Sequence, residues 1–172
     1  IYESFDLFIG TSAGATNALM LGMNASKVED IEKFWTIENL KKIMNQSFID
    51  KTSIFQTRPK YTNEGKKEVL SNFFGNKRMG KSKKPVIVTA YDLEARQPIL
   101  ISSYNDPEVS AVYAANASSA APIYFPTANM EDGRWLIDGG IATNNPALLG
   151  YVEAKKIFGT ENIKILGIGS GL

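Results

Sequence analysis

A Gly-x-Ser-x-Gly sequence occupies residues 10–14, with Ser12 between Gly10 and Gly14. Apolar residues precede it, and small and apolar residues that favour a helix follow it. On a strand-to-helix turn the glycines allow tight geometry, and the first helical amides can donate to a reacting carbonyl oxygen. The pattern predicts that Ser12 is a nucleophile and that Ala13 supplies an oxyanion-stabilising N–H. A structural turn or a phosphate-binding loop is the alternative interpretation.

A serine nucleophile needs a base, which is most often histidine. The chain contains no histidine, so the base is either another side chain here or a histidine outside these 172 residues. Asp138 is the best candidate present, because it ends an apolar run and precedes Gly139 and Gly140. A turn-forming Asp-Gly is the plainer interpretation. In a parallel sheet the carboxyl ends of strands share one edge, so we expect Ser12 and Asp138 to converge there.

The elements that must position these residues alternate along the chain. Helices are predicted over 13–23, 26–35, 37–45, 62–74, 106–117 and 145–158, and strands over 5–9, 86–91, 99–102, 135–137 and 163–168. Residues 118–126, which contain two prolines, are predicted to form a structured loop. Alternating strands and helices predict an α/β fold with a mostly parallel central sheet and helices on both faces.

Composition limits the possible partners. The 172 residues are 44% hydrophobic with a formal charge of +1, which fits one domain and argues against a nucleic-acid binder. A neutral or lipid-like substrate remains open. The absence of cysteine favours a reducing compartment. No apolar run is long enough to span a membrane. The chain begins at Ile1 and ends just after a predicted strand, so we expect it to be part of a longer protein.

Four sequence blocks occur in order along almost the whole chain. They are Phe-Asp-Leu followed by Gly-Thr-Ser-Ala-Gly (5–14), Ala-Tyr-Asp-Leu-Glu (90–94), Ala-Ser-Ser-Ala-Ala-Pro-Ile-Tyr-Phe-Pro (117–126), and Ile-Asp-Gly-Gly with Asn-Asn-Pro behind it (137–146). Together they resemble the patatin-like lipid acyl hydrolases, or patatin-like phospholipases, which use a Ser-Asp dyad without histidine. The resemblance implies a patatin-like fold with Ser12 as nucleophile and Asp138 as proton acceptor. It also places supporting residues at Gly10, Ala13, Gly14, Gly139 and Gly140.

The resemblance implies a phospholipase or acylglycerol lipase that cleaves carboxylic esters through an acyl-enzyme. It implies a lipid substrate, a possible peripheral contact with a membrane surface, a cytoplasmic or peripheral membrane location, and neither a cofactor nor a metal. Family members carry a glycine-rich oxyanion loop with an arginine upstream of the nucleophile, and these residues do not include it. We therefore expect residues 1–172 to be a single partial catalytic domain, without that loop and the C-terminal part, and weak or inactive alone.

The sequence is also compatible with two other functions. The chain could belong to an α/β-hydrolase esterase whose histidine lies outside it, or it could be a catalytically silent lipid-binding module. A fluorophosphonate probe separates the silent module from an enzyme, because only an activated Ser12 reacts with it.

Other side chains have competing interpretations. A basic cluster could meet anionic lipid headgroups, although a solvated loop is the preferred interpretation; its members are Lys77, Arg78, Lys81, Lys83 and Lys84. Aromatic residues could line an acyl-chain groove or belong to the core; these are Phe34, Trp35, Phe48 and Phe55. Asp92 and Arg96 fit a salt bridge at a strand turn and are not predicted to be catalytic.

Overall fold

The computed structural model describes residues 2–24, 27–46 and 58–169. In these ranges the helices are α1 (Ala13–Asn24), α2 (Val28–Phe34), α3 (Ile37–Ile43), α4 (Glu64–Phe74), α5 (Ala111–Ser118) and α6 (Ala147–Phe158). The strands are β1 (Phe8–Gly10), β2 (Val86–Asp92), β3 (Gln97–Ser102), β4 (Ala128–Asn129) and β5 (Trp135–Asp138). Short 3-10 turns cover Tyr2–Ser4, Met79–Lys81 and Gly139–Ile141.

The sheet is built around β2, and its pairing positions the site. β3 pairs antiparallel along β2 from Ile87 to Asp92. On the other side of β2, β1 runs parallel and ends with Gly10 opposite Val88. β5 runs antiparallel and ends with Asp138 opposite Ala90. The carboxyl ends of β1 and β5 therefore approach each other head to head along one side of β2.

The α/β class is confirmed, but the sheet is mixed rather than mostly parallel. Among the described strands the β1–β2 pair alone is parallel, whereas β2–β3, β2–β5 and β4–β5 are antiparallel. A short turn joins β2 to β3, and such a connection can link antiparallel strands only. Ser12 and Asp138 thus converge because two strands point at each other, not because parallel strands share an edge.

Helices cover both faces of the sheet. α1 packs on β1 and β2, and α5 packs on β2 and β5. A Cβ placed on Gly22 of α1 would lie 1.9 Å from Val86 Cγ2, so helix and strand are in close contact. On the opposite face, Gly150 of α6 packs against Ile9. The buried core lies mainly on the α1 and α5 face and includes Leu19, Met20, Phe74, Val88, Ala115 and Leu136.

Several predicted boundaries differ from the structure. α5 begins at Ala111 rather than at residue 106, because Asp106 Oδ2 accepts from Ser102 N–H at 2.9 Å and closes the turn after β3. Residues 163–168 are not a strand; Ile165 and Ile168 are 51% and 81% exposed, and no strand pairs with this segment in the described part of the chain.

Other boundaries agree with the predicted ones. Gly75, with φ +56°, ends α4, and Asn145 Oδ1 accepts from Ala147 N–H at the start of α6. Residue 26, where the second helix is predicted to begin, lies outside the described residues. No helix within residues 2–24, 27–46 and 58–169 is long and apolar enough to cross a bilayer.

Candidate active site

Ser12 lies on a strained turn between β1 and α1. Its φ is +58°, a conformation that is unfavourable for residues other than glycine. A Cβ on Gly10 would lie 2.2 Å from Gly14 O, so only glycine fits at position 10. Gly14 itself has no atom within 4 Å of an added Cβ. The turn therefore requires glycine at position 10, because any side chain there would clash with the backbone. Position 14 borders open space and could accept a side chain.

Ser12 and Asp138 are in direct contact. Ser12 Oγ donates a hydrogen bond to Asp138 Oδ2 at 2.6 Å. The other carboxylate oxygen, Oδ1, accepts from Gly140 N–H at 2.7 Å. Asp138 is only 5% exposed, whereas Ser12 is half-buried and Ala13 is exposed. The carboxylate is therefore fixed below a hydroxyl that remains accessible from outside.

The Asp-Gly-Gly segment is shaped by its contact with β2. A Cβ on Gly139 would lie 2.2 Å from Thr89 Oγ1, so a side chain there would push the turn away from the strand. Gly140 contributes its N–H, and a Cβ there would lie 3.0 Å from Asp138 Oδ1. Both glycines allow the backbone to fold back onto the carboxylate that precedes them.

The end of α5 and the residues that follow it support both residues of the pair. Ser12 N–H donates to Ser118 Oγ at 3.0 Å. Asp138 N–H donates to Ala120 O at 3.1 Å. Beneath the turn, Thr11 Oγ1 bonds Thr89 Oγ1 at 2.8 Å and Thr143 O at 2.9 Å. Residues 118–126 are predicted from the sequence to form a structured loop, whereas Ser118 belongs to α5. No local spacing in the sequence reveals these contacts.

A largely apolar cavity of about 330 Å³ opens beside the nucleophile. Ser12 and Ala13 form part of its wall. The predicted groove residues Phe34 and Trp35 both line it, and Phe34 also belongs to the core. Further apolar lining comes from α3, α4 and the loop after α5, including Leu40, Met44, Leu70 and Phe125. Phe48 and Phe55, also predicted to line a groove, lie outside the described residues.

Lys66 of α4 lies in the same cavity wall and was not predicted from the sequence. It is 3% exposed, and its Nζ donates to Ser119 O at 3.1 Å. Burial lowers the pKa of Lys66 to about 7, although the negative charge of Asp138 opposes the decrease. The sequence does carry a signal for this burial. Lys66 precedes Val69 and Leu70 by three and four residues, so the three side chains lie on the same apolar face of α4.

The basic cluster is partly engaged within the chain. Lys84 Nζ donates to the carbonyl oxygens of Tyr2 and Phe5, at 2.8 and 2.7 Å. Arg78 lies within 4 Å of the carboxylates of Glu108 and Glu131. These contacts agree with a structural role for part of the cluster.

Asp92 organises the β2–β3 turn rather than pairing with Arg96. Its Oδ1 accepts from the N–H groups of Glu94 and Ala95, both at 2.9 Å. Arg96 has φ +55°, and the described ion pairs do not include one between Asp92 and Arg96. In the part of the chain that the structure describes, no three histidine, cysteine, aspartate or glutamate side chains are grouped as metal ligands.

Comparison with known proteins identifies the family. The family model described as patatin-like phospholipase matches residues 2–151. Patatin-like protein 4 of Arabidopsis thaliana is 29% identical over 171 residues, which cover 90% of this chain and 43% of the relative. A cGAMP-activated phospholipase of Pseudomonas aeruginosa is 30% identical over 179 residues, covering 99% of this chain and 53% of the relative.

A solved structure gives the same picture of the fold. VipD from Legionella pneumophila superposes with a TM-score of 0.57 at 14% identity, covering 81% of this chain and 41% of that protein. The chain spans about half the length of the curated relatives it matches. The extent of the family match shows that this chain belongs to the patatin-like phospholipase family.

Proposed function

We propose that the protein carrying this chain hydrolyses carboxylic esters of lipids, either phospholipids or acylglycerols, through Ser12 and Asp138. The observation that carries the proposal is the 2.6 Å hydrogen bond between Ser12 Oγ and Asp138 Oδ2, on a turn that borders a largely apolar cavity. Family membership supports lipid acyl hydrolysis in general. It also argues against the alternative of an α/β-hydrolase with a distant histidine.

The first half of the proposed reaction forms an acyl-enzyme. Ser12 Oγ attacks the ester carbonyl carbon while its proton passes to Asp138 Oδ2. The ester C–O bond then breaks, and the leaving alcohol takes the proton from Asp138. The acyl chain stays attached to Ser12 and occupies the apolar cavity.

The second half releases the fatty acid. A water molecule attacks the acyl carbon and gives its proton to Asp138, which returns that proton to Ser12 Oγ as the acyl bond breaks. The Gly140 N–H keeps the carboxylate oriented through both steps. Every proton transferred in this scheme moves between Ser12, Asp138, the leaving alcohol and water. The proposed reaction therefore uses no further co-reactant.

Stabilisation of the oxyanion is the weakest part of the site in this chain. Ala13 opens α1, and the first amides of a helix have no intrahelical acceptor, so its N–H is the proposed donor. Removing one oxyanion donor in other hydrolases lowers the rate by roughly 10²- to 10³-fold. We propose that residues 1–172 alone turn over slowly and that the complete protein supplies further donors.

The mouth of the cavity supports a contact with a lipid surface. Met44 and Tyr124 line the cavity, yet they are 45% and 49% exposed. Ile37 on α3 and Ile123 beside Tyr124 are 72% and 71% exposed. Apolar side chains in such positions favour insertion among lipid chains. We therefore propose peripheral membrane association, by which the ester reaches Ser12 from the bilayer.

The direct experiment is release of fatty acid from phospholipid vesicles by the complete protein and its Ser12→Ala variant. We expect Ser12→Ala to abolish release, because it removes the nucleophile and leaves the fold intact. Ser71→Ala, an exposed serine on α4, is the matched control and should keep wild-type activity. Substantial release by Ser12→Ala would contradict the proposal. If the wild type binds lipid but neither releases fatty acid nor reacts with a fluorophosphonate, a silent lipid-binding module is favoured instead.

A further inference from the structure

Lys66 is a buried cation without an anionic partner among the described residues. Its side chain lies in the wall of the cavity that Ser12 also lines. No carboxylate in the described part of the chain lies within ion-pair distance of it. Within the described ranges its Nζ donates one hydrogen bond, to Ser119 O, whereas an ammonium group has three donors. Leaving a charge buried in this way is unfavourable unless something compensates it.

The groups around Lys66 compensate it only in part. Its Nζ lies 3.9 Å from the centre of the Phe125 ring, which attracts a cation but does not neutralise it. Among nearby charges, Asp138 attracts the ammonium and Lys67 repels it. Asp138 is itself committed to Ser12 Oγ and Gly140 N–H. Lys66 therefore keeps donor capacity beside the cavity.

We propose that Lys66 binds an anionic oxygen of a lipid held in this cavity, supplied by a headgroup phosphate or by the carboxylate of a fatty acid. This inference rests on the proposed function, since that function puts a lipid in the cavity. The apolar walls accept the chain, and the ammonium provides the positive charge that an attached anion needs. A lipid anion would also supply the counter-charge that the described residues do not.

The proposal predicts a pH dependence. Because the pKa of Lys66 is about 7, the ammonium form decreases as the pH rises through that value in the unliganded protein. A bound anion favours the protonated form, so affinity for a fatty-acid carboxylate, which stays ionised in this range, should decrease from pH 6 to pH 9. Arginine keeps its charge over this range, so Lys66→Arg should bind the carboxylate with little pH dependence.

The test measures binding to the complete protein, by calorimetry, of dodecyl phosphate, dodecanoate and the uncharged dodecanol. The variants are Lys66→Met, Lys66→Arg and, as the matched control, Lys67→Met on the exposed side of α4. Lys66→Met should weaken binding of at least one anion by roughly 10- to 100-fold, as expected for losing a hydrogen bond to a charged group. Its affinity for dodecanol should not change. Lys66→Arg and Lys67→Met should retain binding of the anion.

The arms of the experiment separate the possible results. If Lys66→Met loses affinity for dodecyl phosphate alone, Lys66 binds the headgroup phosphate. If it loses affinity for dodecanoate alone, Lys66 binds the carboxylate of the fatty-acid product. If it loses affinity for both, Lys66 forms a shared anion site. Equal loss for all three ligands, no loss for either anion, or no binding by the wild type would overturn the inference. Thermal unfolding of Lys66→Met checks its fold, and removing the buried charge should raise the Tm. Because binding needs no turnover, anion binding through Lys66 in a protein without esterase activity would refute the proposed function alone.

Discussion

The Ser12–Asp138 pair and the cavity beside it are built in different ways. Each member of the pair is held mainly by its own turn: Gly10 permits the Ser12 conformation, and Gly140 N–H fixes Asp138. The cavity draws its wall from α2, α3, α4 and the loop after α5, and Lys66 meets Ser119 across 53 positions of sequence. Chemistry is thus encoded in short segments, whereas the shape and charge of the cavity depend on tertiary packing.

This difference predicts different tolerance to substitution. A turn that needs positive φ and close backbone contact has no alternative packing, so a single methyl group disrupts it. A cavity wall made of side chains from separate elements can adjust to a substitution. Its buried charge, on Lys66, lowers the stability of the fold but serves the proposed binding of an anion. Substitutions in the turn should therefore cost more stability than substitutions in the cavity wall.

The strongest test of the turn compares Gly10→Ala with Gly14→Ala. The first places a Cβ 2.2 Å from Gly14 O, whereas the second meets nothing within 4 Å. We expect Gly10→Ala to lower the free energy of unfolding by about 3 kcal/mol or more. Gly14→Ala should be neutral or stabilise α1 by up to about 1 kcal/mol. Urea unfolding followed by circular dichroism measures both, and equal effects would show that the turn is not so tightly specified.

The test of the cavity is the pH dependence of stability in the wild type and Lys66→Met. The pKa of Lys66 falls from 10.5 to about 7 on folding, so between these values the unfolded chain binds the proton that the folded chain has released. The contribution of Lys66 to the free energy of unfolding therefore increases with pH, by on the order of 2 kcal/mol from pH 7 to pH 9. Urea titrations at each pH should show this slope in the wild type, and Lys66→Met should lack it. Identical profiles would mean that Lys66 is not buried as described.

The smallest effect concerns the segment that links the two regions. Ser118→Ala removes the acceptor of the Ser12 N–H and should cost about 1 kcal/mol of stability. Because that hydrogen bond holds the nucleophile turn, ester hydrolysis should also fall. Ser119→Ala is the matched control because, among the described residues, the Ser119 hydroxyl donates only to carbonyl oxygens at the end of α5. The substitution also keeps the backbone carbonyl of residue 119, which accepts the hydrogen bond from Lys66. If both variants lose hydrolysis equally, the Ser118 contact has no special role.

The turns that carry Ser12 and Asp138 are easier to predict from the sequence than the cavity beside them. The Ser12 turn, Asp138 and most helices could be predicted, because glycine spacing, capping residues and apolar runs act locally. The mixed sheet was missed, because the apolar residues 135–137 do not show that β5 runs against β2. Lys66 was missed although its position on the apolar face of α4 was visible, because a lysine is usually assumed to reach solvent. The residues at 163–168 resemble a strand, yet a strand needs a neighbouring strand, and none pairs with them in the described ranges.

The central claim is that the Asp138 carboxylate takes the Ser12 proton directly, without imidazole. The most direct measurement is the rate at which a fluorophosphonate labels Ser12 in the complete protein and in its Asp138→Asn variant. Asparagine keeps the size of the side chain and can still accept from Gly140 N–H, but it cannot take the proton. We predict that Asp138→Asn slows labelling by roughly 10²- to 10⁴-fold with the fold unchanged. Labelling of Ser12 at the wild-type rate in that variant would contradict the account.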